Sequence, residues 1–139
     1  MLYNGAKGET ALELKQLLGY HKYNVTVEQM NEGFNALLTK ISSENTNTIS
    51  NYDLNIANRL MVQNEFRILT DFSNILKNSF KADIQLVDFE NDGQNAVNQI
   101  NEWIRTKTNN KIEEFFEEAL DTSTRLVIVN AVYFKGNIN

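Results

Sequence analysis

A chain of 139 residues with 42% hydrophobic and 10% aromatic side chains is long enough for one domain with a core and too short for two domains. A net charge of −5 without any basic run makes nucleic acid and anionic membrane poor partners. The absence of cysteine excludes disulfides and thiolate metal sites, and no apolar run approaches the roughly 18 residues of a membrane span.

The N-terminal "MLYNGAKGET" lacks the charged and apolar regions of a signal peptide, so either the protein is intracellular or its natural start lies upstream. In "TALELKQLLGY", Thr10 is placed to N-cap a short helix and Glu13, three residues on, to close a capping box; Gly19 stands where a left-handed residue ends the helix. Ala11, Leu14, Leu17 and Leu18 would be its buried stripe. The segment "VTVEQMNEGFNALLTKIS" repeats this grammar. Thr26 and Gln29 form a second capping box, Val25 and Met30 a hydrophobic staple, and Val27, Met30, Phe34, Leu37, Leu38 and Ile41 share one helical face.

After the polar stretch "SSENTNTISN", Leu54, Ile56, Asn58, Leu60 and Val62 alternate with Asn55, Ala57, Arg59 and Met61, the period of a strand. Leu69, Phe72, Leu76 and Phe80 then recur at helical spacing, "KADIQLVDF" is extended, and Asp92-Gly93 opens a helix with Val97, Ile100, Trp103 and Ile104 on one side. The passage "NNKIEEFFEEALDTST" leads to "LVIVNAVYFKGNIN", apolar on both faces, which belongs in the middle of a sheet. The order of helices and strands predicts one α+β unit, without repeats or proline.

Enzyme chemistry has little to stand on. No phosphate loop, nucleophile elbow or metalloprotease motif is present, and the one histidine, His21, reads as a surface turn residue beside Lys22. The acidic group around Phe115 and Phe116 reads as a solvated face, so no metal and no cofactor are assigned. Asn24-Val25-Thr26 is a candidate N-glycosylation sequon, relevant only to a secreted protein, and Thr26 already has a capping role. Asn130, set between Val129 and Ala131, must be hydrogen-bonded if buried, since an unpaired buried amide costs about 1–3 kcal/mol.

"TRLVIVNAVYFKGN" resembles the third strand of the large sheet in the serpins, T-x-L-V-L-V-N-A-x-Y-F-K-G-x-W. "INEWIRTKTNNKI" resembles that family's helix F and the T-x-G-K-I after it, "FKADIQLVDF" its F/Y-x-A-…-V-D-F strand, and "NGAKGET" the G-A-x-G-x-T that follows helix B. Order and spacing agree along the chain. The resemblance implies a serpin-fold fragment over residues 1–139, from the end of helix B to strand 3 of sheet A, with no catalytic residue and with the reactive-centre loop outside this sequence.

It further implies a protease inhibitor, acting most often on serine proteases, whose loop is cleaved and inserts into the large sheet. The alternative within the family is a non-inhibitory carrier, storage or chaperone-like protein. By resemblance, Asn130 would lie in the sheet-opening (shutter) region and Ile138 at the breach position that normally holds tryptophan. Asn110 replaces the usual glycine before Lys-Ile, a swap that left-handed backbone tolerates in asparagine. An extracellular location follows from the resemblance, with a cytoplasmic one allowed. A glycosaminoglycan is a poor partner, because the helix from Val27 to Ile41 carries Glu28 and Glu32 against a lone Lys40.

Overall fold

A computed structural model describes residues 1–44 and 52–136. In chain order these form α1 (Leu2–Gly5), α2 (Gly8–Leu17), a 3-10 turn (Tyr20–Tyr23), α3 (Val27–Glu44), β1 (Tyr52–Gln63), α4 (Thr70–Phe80), β2 (Ala82–Val87), α5 (Gly93–Lys107) and β3 (Leu126–Gly136). The α+β class and the sequence of major elements agree with the periodicities. Four-residue α1 is too short to leave a periodic signal.

The strands form one sheet in the order β2-β1-β3, with β1 parallel to β2 and antiparallel to β3. Because side chains alternate along a strand, β1 feeds two cores. Met61 meets Val129, Ala131 and the α5 residues Ala96, Ile100, Trp103 and Ile104 on one face. On the other face Leu60 and Val62 pack with Leu76 and Phe80 of α4 and Met30 of α3. Leu60, Met61, Leu76 and Ile100 are fully buried, and each such side chain contributes about 1.5–3 kcal/mol of hydrophobic stabilisation.

The two capping boxes part company. That of α3 forms as the sequence predicts: the Gln29 N–H donates to Thr26 Oγ1 at 3.2 Å, and the Thr26 N–H to Gln29 Oε1 at 3.0 Å. Helix α2 instead begins at Gly8 behind Lys7, so Thr10 lies inside its first turn and caps nothing. Gly19 does take the left-handed conformation after α2, at φ 76°. The expected stripe of α2 is only half realised. Ala11 and Leu14 are half-buried, whereas Leu17 is 82% exposed and Leu18 49%, because no described element packs over them. Helix α3 runs on through Ser42 and Ser43, read as loop; residues 45–51 of that loop lie outside the described residues.

A polar clasp joins the end of the sheet to α5. Buried Gln63 donates from Nε2 to Asp88 Oδ1 at 3.1 Å and accepts the Phe89 N–H at 2.7 Å. The same Asp88 oxygen accepts the N–H groups of Asn91 at 2.8 Å and Glu90 at 3.1 Å, which turns the chain toward α5. These donors, that of Asn91 foremost and then the Gln63 amide, hold the Asp88 carboxyl below the usual carboxylate range.

A carboxyl depressed in the folded state adds stability that is present above its ordinary pKa near 3.9 and is lost as pH falls through the lower folded value. Asp88→Asn is therefore expected to lower stability at neutral pH and to remove part of the decline below about pH 4, measured by urea unfolding across pH. Parallel curves for the two proteins would show that the clasp does not titrate.

Candidate functional site

The site centres on β3. Its eleven residues pair with β1 from Leu126 opposite Val62 to Gly136 opposite Tyr52, and no described residue pairs with its other edge. The sequence places this strand inside a sheet; among the described residues it is an edge strand. Val129 and Ala131 are buried beneath α5. On the opposite face Ile128, Val132 and Phe134 are exposed, because α3 and α4 cover β1 and β2 and stop short of β3.

Asn130 lies on that open face and is exposed, which corrects the expectation of a buried amide. It is nonetheless hydrogen-bonded. In register with Asn58 of β1, it donates from Nδ2 to Asn58 Oδ1 at 2.8 Å. Asn58 in turn donates from its own Nδ2 to the carbonyl oxygen of Phe80, at the C-terminus of α4, at 2.8 Å. Two amides thus link β3 through β1 to α4. Sequence reasoning counted Asn58 among the apolar-phase positions of its strand without assigning it a role. A polar residue on the apolar phase, in register with a second one, was the signal available.

The outer edge of β3 faces a groove of about 190 Å³, walled by Ile112, Phe115 and Phe116 across from residues 127–132. The wall is held by α5. Buried Asn101 accepts the N–H groups of Phe115 and Phe116 at 3.1 and 3.0 Å and donates to the Phe116 carbonyl at 2.7 Å. Arg105 donates to the Glu113 carbonyl from Nε at 3.3 Å and Nη2 at 3.1 Å. Asn101 was missed because one polar residue on a helix reads as solvent-facing. Ahead of β3, Asp121 accepts from the Ser123 hydroxyl and N–H, donors that lower its carboxyl pKa.

The remaining sequence candidates are scattered. His21 is exposed in the 3-10 turn, and Asn24 is exposed at left-handed φ 50°, accessible to solvent. Asn110 adopts φ 59°, the conformation its replacement of glycine requires. Ile138 lies outside the described residues. Among the described residues no cluster of histidine, aspartate and glutamate could hold a metal ion, and no helix is long and apolar enough to cross a membrane.

Among the described residues the outer edge of β3 is unpaired, backed by α5 and flanked by an apolar groove, the kind of edge to which a further strand can add. The chain matches the sequence model of the family described as serpin (serine protease inhibitor) over residues 1–139. It is 40% identical to Iripin-3 of Ixodes ricinus over 136 residues, which is 98% of this chain and 34% of that protein. It is 41% identical to intracellular coagulation inhibitor 1 of Tachypleus tridentatus, over 98% of this chain and 32% of that protein. The fold is similar to that of ovalbumin from emu (Dromaius novaehollandiae), with a TM-score of 0.82 at 26% identity, over 98% of this chain and 37% of that one.

The chain belongs to the serpin family, a family of protease inhibitors, and has an α+β serpin architecture. It spans about a third of the length of the relatives it matches.

Asn58→Ala is expected to destabilise by about 1–3 kcal/mol, because it leaves the Phe80 carbonyl and the Asn130 amide without their partner. Asn130→Ala should cost less, since its amide is exposed. A double-mutant cycle by urea unfolding should give a coupling of at least about 0.5 kcal/mol; strict additivity would show that the bridge holds nothing together.

Proposed function

We propose that these residues are one part of a single serpin domain, from the end of helix B to strand 3 of sheet A, whose complete form inhibits serine proteases. On this reading a cleaved reactive loop outside this sequence inserts along the free edge of β3, carrying the acylated protease with it. Insertion of a serpin loop into its own large sheet is the standard example of β-strand addition. The single observation that carries the reading is the match to the family described as serpin (serine protease inhibitor) over residues 1–139. The identity with a relative named as a coagulation inhibitor supports an inhibitory role.

Asn130 then acts in the sheet-opening region, holding β3 to β1 through Asn58. Ile138 takes the breach position by resemblance. We place the complete protein outside the cell, where exposed Asn24 would be open to glycosylation.

The test joins the chain to its complete coding sequence and incubates the product with a panel of serine proteases. A protease–inhibitor complex that survives boiling in detergent is expected, together with a rise in melting temperature after cleavage of the loop. Cleavage without a complex and without added stability would overturn the inhibitory assignment in favour of a carrier or storage role.

A further inference from the structure

The sheet face beneath α5 holds a second opening, on the side away from β3. It is a cleft of about 520 Å³ between α5 and the β1–β2 pair, and its walls include Arg59, Gln85, Gln99, Glu102, Trp103 and Lys107. Arg59 is out of place by composition. It precedes four consecutive buried residues of β1, and its side chain is only 20% exposed. Its guanidinium carbon lies 5.2 Å from the centre of the Trp103 ring, a cation–π contact.

The hydrogen bonding around this pair is unbalanced in one direction. Arg59 donates from Nη1 to Gln85 Oε1 at 2.6 Å and from Nη2 to Asp83 at 3.2 Å, but its buried Nε–H has no acceptor. The Trp103 indole N–H is likewise buried and unpaired, in a residue that is 6% exposed. None of the neighbouring side-chain acceptors meets the two orphan nitrogens: Gln85 Oε1 receives Arg59 Nη1, Gln99 Oε1 receives the Gln85 amide, and one oxygen of Glu102 receives Arg105 at 2.8 Å. Lys107 forms no ion pair among the described residues. Native proteins rarely leave buried donors unpaired, and two at one cleft beside a free ammonium call for an acceptor from outside.

A water molecule is a weak solution to this imbalance. It would accept from the orphan donors but carries no charge to set against the Lys107 ammonium. A carboxylate only accepts, carries the complementary charge, and matches the planar guanidinium. The cleft is open to solvent, and its volume admits a small organic molecule.

We propose that the cleft between α5 and the β1–β2 pair binds a small organic carboxylate, whose oxygens accept from Arg59 Nε, the Trp103 indole N–H and the Lys107 ammonium. Because solvent does not reach the two orphan nitrogens, entry requires the guanidinium to slide from its seat over the indole. This site is separate from the free edge of β3 and does not depend on protease inhibition.

Trp103 is the sole tryptophan of these 139 residues and serves as the reporter. The full-length protein is labelled with 5-fluorotryptophan, the resonance is assigned with Trp103→Phe, and benzoate is titrated at constant ionic strength beside benzamide, its neutral counterpart. A saturable shift of the Trp103 fluorine signal is expected with benzoate and not with benzamide. Arg59→Gln should weaken benzoate by at least about tenfold, the scale of one charged hydrogen bond.

Lys107→Gln, at the end of a helix and outside the cores, should weaken benzoate several-fold while leaving the fold intact. The assignment is overturned if benzoate gives no saturable shift, if benzamide binds equally well, or if either charge change leaves the affinity unaltered.

Discussion

The pairing of β1 with both its neighbours is the constraint on which the rest of this structure depends. Its backbone carries a parallel ladder to β2 and an antiparallel ladder to β3, so its own polar groups are satisfied on both sides. Its side chains then serve two cores at once, Met61 toward α5 and Leu60 with Val62 toward α4 and α3. A slip of one residue would send Met61 to the wrong helix and lift Leu60 into a layer shaped for another side chain. Asn58 resists that slip, because only the observed register sets its amide between Asn130 and the Phe80 carbonyl.

Much of this was legible. The period-two pattern of residues 54–62 and the stripe of Val97, Ile100, Trp103 and Ile104 each have one physical solution, and both elements formed as read. Capping grammar proved less decisive. Thr10 and Thr26 stand in equivalent local patterns, yet only Thr26 caps, since the chain ahead of Thr10 is already helical from Gly8. Burial was least legible where it depends on distant partners. Leu17 and Ile128 are as apolar as Leu60, but their exposure is set by whether another layer reaches them, which no local pattern encodes.

The site shows the same division. Asn130 stood out because it interrupts an apolar run, and the interruption does mark a hydrogen-bonded position. Its partner was harder to see, for Asn58 looks like a tolerated defect until register sets it opposite Asn130. Asn101 was invisible for a different reason. Its ligands are backbone groups of Phe115 and Phe116, which carry no sequence signature at all. Polar residues that organise irregular segments through backbone groups are found only once the segment's path is known.

On the proposed reading, the Asn58 bridge also bears on which parts of the sheet move. A strand entering at the outer edge of β3 pushes against a strand already joined to β1 by an eleven-pair ladder, so β3, β1 and β2 would shift together rather than part. Slip must then occur where the sheet meets its helices. Most of those contacts are apolar and can slide at small cost, as packed helices do in shear motions. The bond from Asn58 to the Phe80 carbonyl is directional and cannot. It pins the moving sheet to the end of α4, directly before the left-handed Lys81 that starts the turn into β2. Either that bond breaks as the sheet shifts, or α4 travels with it. In both cases the polar links between the sheet and its helices, the Asn58 amide and the Gln85–Gln99 bond among them, add resistance to opening beyond that of the strand edge that receives the loop.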